Sequence, residues 1–180
     1  ILPDHGPIWR ENPGQIIEQY LEWTKLAPGK KAVLIHDSMW QSTGMMARVI
    51  ADALHENGVC VREMPLTEAH RSDVATELMG AGALVVGSPT INNQMFPTVA
   101  DCLTYIKGLK PKNMVSAAFG SYGWSGEAAK LVQAELDSMK LEAAAEPLRI
   151  KYVPGDDALQ QCRNFGATIA EKIKVLVNKQ

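Results

Sequence analysis

The sequence holds 180 residues, 46% hydrophobic and 21% charged, the make-up of a single globular domain with a complete core and some additional segment. Its formal net charge of −2, with acids and bases interspersed, supplies no concentrated basic surface of the kind nucleic-acid binding needs. No apolar run approaches the ~20 residues of a membrane span, and Ile1-Leu2-Pro3-Asp4-His5 lacks the basic and apolar regions of a signal peptide.

The chain does not start with Met, so a fragment or processed product is expected. Three cysteines, Cys60, Cys102 and Cys162, are widely spaced and form no CxxC pair. They read as reduced, buried thiols in a cytoplasmic protein, and no zinc or iron–sulfur ligand set is apparent.

In chain order, Asn12-Pro13 reads as a cap and first-turn proline opening a helix to about residue 25, carrying Ile16, Ile17, Tyr20, Leu21 and Trp23. Ala27-Pro28-Gly29-Lys30 follows as a linker. Residues 1–29 therefore stand apart from 30–180, either as an extension packed on the domain or as the tail of a preceding one. Residues 31–36, nearly all apolar, predict a parallel strand buried on both faces. Met46, Val49, Ile50, Ala53 and Leu54 place a helix over 44–57, ended by Asn57-Gly58. Residues 59–64 alternate and predict a strand nearer the sheet edge.

Ser72 is expected to cap a helix over 73–79. Residues 83–87 predict a third strand, and Pro97 starts a helix to about 107. A fourth strand is expected over 113–119, a helix over 125–139 and a fifth strand over 146–153. A long closing helix over 158–178 presents Leu159, Cys162, Phe165, Ile169, Ile173 and Leu176 on one face. Strands alternating with helices through short connections predict an α/β domain. The expected form is a flavodoxin-like three-layer sandwich, with a five-stranded parallel sheet of order 2-1-3-4-5 and helices on both faces.

Ligands of such sheets sit at the carboxyl ends of the strands. The first loop there, Ser38-Met39-Trp40-Gln41-Ser42-Thr43, sets three hydroxyls and a run of N–H groups at a helix start, which suits a phosphate. Neither GxxxxGK[ST] nor GxGxxG is present, so a monophosphate held without a cation fits better than a nucleoside triphosphate or dinucleotide. The second loop, residues 87–94 with Pro89, Thr90, Ile91, Asn92 and Asn93, offers amides to the edge of a heterocycle, and its asparagines tolerate left-handed backbone. The third, Gly120-Ser121-Tyr122-Gly123-Trp124-Ser125-Gly126, adds two aromatics, with glycines that suggest backbone drawn close to something planar. Singly, each loop reads first as a helix cap, a turn or a cover for the core; together they converge on one end of the sheet.

These three loops, in this order, resemble the FMN loops of the flavodiiron proteins (A-type flavoproteins), and the resemblance spans essentially the whole chain. It implies that Ser38, Ser42, Thr43 and the N–H groups of residues 39–43 hold the FMN phosphate, with Trp40 bordering the ring or shielding the ribityl chain and Gln41 beside it. Pro89, Thr90, Ile91, Asn92 and Asn93 would enclose the isoalloxazine together with Ser121, Gly123 and Gly126, with Tyr122 or Trp124 nearest its face. No Lys or Arg lies in these loops to neutralise a reduced, anionic flavin.

Upstream, Asp4-His5-Gly6-Pro7-Ile8-Trp9-Arg10 resembles the end of that family's metallo-β-lactamase-like domain, in which the His is a diiron ligand. The His-x-Glu-x-Asp-His stretch that supplies most diiron ligands is absent, so His5 is expected to be solvated and unoccupied. The family reduces dioxygen or nitric oxide with electrons relayed by FMN. The resemblance thus implies a C-terminal electron-transfer domain, a rubredoxin-like donor, a head-to-tail homodimer and a diiron centre elsewhere in the parent protein. Two rivals remain open: a flavodoxin-fold NAD(P)H:quinone oxidoreductase, and a non-enzymatic module binding a phosphate or a partner. His36 reads as structural, and His55 and His70 as surface residues.

Overall fold

The computed structural model describes residues 1–179. In chain order the elements are α1 (Gly14–Thr24), β1 (Lys31–His36), α2 (Ser42–Glu56), β2 (Cys60–Pro65), α3 (Arg71–Glu77), β3 (Ala83–Gly87), α4 (Pro97–Leu109), β4 (Val115–Tyr122), α5 (Ala128–Ser138), β5 (Glu142–Ala143), β6 (Leu148–Lys151) and α6 (Asp156–Asn178). The sheet runs β2-β1-β3-β4-β5, and β6 also pairs with β4. Every pairing is parallel.

The strand pattern follows burial. In β1 all residues after Lys31 are buried, and β3 is buried throughout. The alternating β2 lies at the edge, where one face meets water. Helices cover both faces. Leu34, Val85, Ala117 and Phe119 pack beneath α2 and α6 with Ile50, Phe165, Ile169 and Ile173. On the other face Val33, Ile35, Leu84 and Val86 pack against Val74, Val99, Leu103, Val132 and Leu136. Each large aliphatic side chain so buried contributes about 1.5–3 kcal/mol. Gly166 allows α6 to lie close on α2, because a Cβ there would stand 2.8 Å from both Ala53 Cβ and Ile50 O.

Several boundaries differ from expectation. The fifth strand is two short strands set end to end. Ser116 faces Ala143 and Phe119 faces Leu148, so the stretch between holds more residues than β4 can pair. The buried Ala144 anchors this bulge through its N–H to Ser116 O, 2.8 Å. β4 runs past Phe119 to Tyr122, so Ser121 and Tyr122 belong to the strand. The cap of α3 is His70, whose side chain accepts from Ser72 N, in place of Ser72 itself. Pro13 precedes α1 without a side-chain cap, and no α1 residue is buried; Ile17, Tyr20 and Leu21 are exposed. Cys102 and Cys162 are buried as expected, whereas Cys60 is exposed on the edge strand. No helix of the described residues is long and apolar enough to cross a membrane.

Candidate functional site

The carboxyl end of β1 turns sharply into α2. Asp37, buried at the strand end, accepts the Ser38 N–H at 2.6 Å through Oδ1 and the Thr98 hydroxyl of α4 at 2.5 Å through Oδ2. Gln41 takes the left-handed conformation, with φ 65°, and α2 starts at the next residue. The first bond of its ladder runs from Met45 N–H to Gln41 O, 2.8 Å. That leaves the N–H groups of Ser42, Thr43 and Gly44 outside the ladder, at the positive end of the helix dipole. Ser38 Oγ is buried there without a hydrogen-bond partner among the described residues. An unpaired hydroxyl beside free helix N–H groups fits an anionic ligand oxygen.

The second loop is an antiparallel two-residue turn. Ile91 and Gln94 exchange both backbone hydrogen bonds, and Asn92 and Asn93 between them have φ 48° and 58°. Two positive φ angles in succession are the hairpin geometry that asparagine tolerates. Bonds to neighbours fix this loop. Thr90 N–H donates to Ser121 O at 3.0 Å, Ala128 N–H to Thr90 Oγ1 at 3.2 Å, and Ser125 Oγ to Asn93 Oδ1 at 3.2 Å. In the third loop, Gly126 has φ +77°, and a Cβ there would stand 2.9 Å from the Tyr122 ring. The planar group crowding this glycine is therefore the chain's own Tyr122.

Met39, Trp40 and Ser42, Pro89 and Thr90, and Ser121, Tyr122 and Gly123 meet around a cleft of about 320 Å³. The three expected loops thus converge at one end of the sheet. Thr43 lies beneath the cleft, fully buried and 2.8 Å from Ser121 Oγ. Trp40 and Trp124 are 84% and 94% exposed, so neither covers the core, and both are free to lie against a planar ligand. Ser38, Gln41, Ile91, Asn92, Asn93, Trp124 and Gly126 shape or flank the cleft without lining it.

Two lining residues, Tyr152 and Val153, escape the sequence reading because they fall within the expected fifth strand. β6 ends at Lys151, and Tyr152 turns out of the sheet with φ 63° while its N–H still bonds Tyr122 O at 2.7 Å. Lys151 Nζ lies 5.0 Å from the Tyr152 ring, bringing a cation to the cleft rim that none of the three loops contains. An aromatic followed by Val-Pro-Gly at the carboxyl end of a strand is the signal that could have revealed this fourth loop.

Of the histidines, His36 is buried with Nε2 3.0 Å from Glu63 Oε1, while His55 and His70 are exposed. His5 is exposed, and among the described residues no three His, Cys, Asp or Glu side chains gather into a metal-holding group. A second groove, about 580 Å³, lies at the opposite end of the sheet between α1 and the ends of α3 and α4, bordered by Trp23, Leu26, Leu78 and Met114. It lacks the helix N-terminus and the converging strand ends of the first.

A family model described as flavodoxin matches residues 34–166. The nitric oxide reductase of Moorella thermoacetica is 44% identical over 174 residues, a match covering 96% of this chain and 44% of that protein. Among solved structures, the rubredoxin oxygen:oxidoreductase of Desulfovibrio gigas superposes with TM-score 0.89 at 40% identity, covering 91% of this chain and 41% of that one. The flavodiiron protein of Giardia intestinalis gives TM-score 0.91 at 31% identity, covering 97% and 44%. The chain therefore spans less than half the length of these relatives.

Proposed function

The chain belongs to the flavodoxin family, and from that premise we propose that it is the FMN-carrying electron-relay unit of a flavodiiron-type oxygen or nitric oxide reductase. A flavodoxin domain binds FMN, and the cleft suits that molecule at both ends. The observation that carries the reading is the convergence of an anion-seeking turn, with Ser38 Oγ unpaired, and an aromatic-walled cleft at one end of the sheet.

FMN, when bound, accepts and releases electrons singly. The chain's own residues bind and orient it. The hydroxyls of Ser38 and Ser42 and the free N–H groups at the start of α2 would hold the phosphate, with Thr43 bonded to Ser121 beneath them. Trp40, Tyr122 and Tyr152 would border the ring, and the rigid turn at Asn92-Asn93 would set its edge. Trp124, Gly126 and Ile91 would complete the surround. The exposed mouth leaves the ring edge open to a redox partner.

The relatives named for nitric oxide reduction and for rubredoxin and oxygen support the same assignment for the parent enzyme. We infer a rubredoxin-like donor, and a diiron acceptor contributed by a separate domain that belongs to the second subunit of a head-to-tail homodimer. Residues 30–180 form the flavin domain and 1–29 the connector, with His5 solvated. The three unpaired thiols suit a reducing cytoplasm.

The test is the visible spectrum of the purified chain, with mass identification of the released cofactor. A yellow protein releasing FMN supports the reading. A colourless protein that stays colourless after incubation with FMN overturns it. Rapid bleaching by NAD(P)H alone with quinone turnover would instead favour a quinone oxidoreductase.

A further inference from the structure

We propose that Lys151, at the end of β6, is the cation that favours the reduced, anionic form of the bound ring over its oxidised form, so that the fourth loop sets the potential of the relay. The inference rests on the FMN reading above and adds a residue that lies outside the three loops.

Two electrons and one proton turn the neutral oxidised isoalloxazine into a singly charged anion, so reduction places a negative charge in the cleft. The electrons come from the one-electron donor of the relay, and from dithionite in the test below; the proton comes from water. The phosphate is the same in both forms. A charge created only on reduction is therefore answered by a group near the ring. Among the described residues those lining the cleft are all uncharged, and none of the three loops contains Lys or Arg.

Lys151 is placed to supply it. Ile150 before it is buried in the core beneath α2 and α6, and successive strand residues point to opposite faces. Lys151 therefore leaves the sheet on the face away from α2. Its register partner across the β4–β6 pairing is Tyr122, which lines the cleft. Its Nζ lies 5.0 Å from the centroid of the Tyr152 ring, the other tyrosine of the lining. The ammonium thus stands beside one aromatic wall of the cleft, and its backbone beside the other.

Further observations separate this cation from other roles. The phosphate turn opens α2, on the opposite face of the sheet, so Lys151 serves the ring end of the cleft and not the phosphate end. Among the described residues Lys151 makes no salt bridge, so its charge is not already answered by a carboxylate. Glu127, the acid next to the third loop, accepts instead from the Ser125 hydroxyl at 2.6 Å. The bond from Tyr152 N–H to Tyr122 O, 2.7 Å, ties the two aromatic walls together and fixes the end of β6 that carries the lysine.

The experiment is an anaerobic dithionite titration of the FMN-loaded chain, followed by its visible spectrum, with the Kd of oxidised FMN measured separately by fluorescence. Together they give the affinity for the reduced form. Lys151→Met should hold oxidised FMN within about twofold of the parent value and reduced FMN roughly tenfold more weakly, the size expected of one charge several ångströms away at a wet protein edge. That ratio corresponds to a two-electron potential about 30 mV lower. Lys151→Arg should match the parent, and Lys151→Glu should fall below Lys151→Met; the Arg and Glu variants carry the test should Lys151→Met not fold. Equal potentials in all the proteins overturn the proposal while leaving FMN binding intact. Equal weakening of both oxidation states also overturns it, because that is the mark of a cation on the phosphate. Absence of flavin binding in the parent chain overturns the cofactor reading and this inference together.

Discussion

Thr43 Oγ1 and Ser121 Oγ lie 2.8 Å apart beneath the cleft, joining the start of α2 to the end of β4 across 78 residues of sequence. Both residues are buried, so neither hydroxyl can exchange its partner for bulk water. Losing one partner strands a buried polar group, at a cost of about 1–3 kcal/mol, whereas removing both can be nearly neutral. Thr43→Val and Ser121→Ala should each lower the unfolding free energy by about that amount, with the double variant losing less than their sum. Urea unfolding of the four proteins measures the coupling. Additive losses would mean that the two hydroxyls do not depend on each other.

Asp37 and Thr98 make a comparable link on the opposite side of the turn. The Thr98 hydroxyl donates to one carboxylate oxygen while the other orients the Ser38 N–H. Thr98→Val should destabilise the chain by about 1–3 kcal/mol by leaving a buried acceptor short of its donor. FMN affinity should fall with it, because the turn carrying Ser38 loses its tether to α4. A fluorescence titration following flavin quenching reads the second effect, and unchanged affinity would show the turn to be self-supporting.

Tyr152 adopts positive φ, a conformation that costs a bulky residue about 1–3 kcal/mol. Its ring lines the cleft, so the strain has a use. Tyr152→Asn relieves the backbone and removes the ring. The flavin-free variant should be as stable as its parent or up to about 1 kcal/mol more so, yet bind FMN several-fold more weakly. Thermal melts paired with Kd measurements check both halves. A loss of stability with intact affinity would reverse the assignment.

Glu63 sets an acid limit on stability. Its folded-state carboxyl is held below its ordinary value of 4.5, first by the hydrogen bond from His36. A depressed folded value contributes stability that is present above 4.5 and lost as pH falls through the folded value. Glu63→Gln should therefore show a shallower loss of unfolding free energy than the parent below that pH. Equal slopes in chemical denaturation at a series of acid pH values would remove Glu63 from the account. Glu77, lowered first by its bond from Lys31, contributes in the same direction.

Much of the fold was legible because the two periodicities were clean. The apolar run of β1 and β3 against the alternation of β2 correctly separated centre from edge. Pro97 sits at the start of α4 as its ring requires. The fifth strand was misread because its break is set by pairing with β4, a constraint that residues 142–153 do not carry by themselves. The same error hid Tyr152 and Val153, which looked like strand and proved to be the fourth side of the cleft. The glycines of the third loop were legible as close approach, though what approaches Gly126 is Tyr122.

By itself the sequence determined the layered α/β architecture, the order of strands and the three loops that meet at their carboxyl ends. Those features arise from local period, turn chemistry and short connections, all of which act between near neighbours in the chain. Only the tertiary structure decided that Thr43 meets Ser121, that Thr98 reaches Asp37 and that Glu63 takes one nitrogen of His36 while the other stays unpaired. Each pairing joins residues remote in sequence. Burial makes such partners decisive, because away from water a polar group must find its complement within the protein.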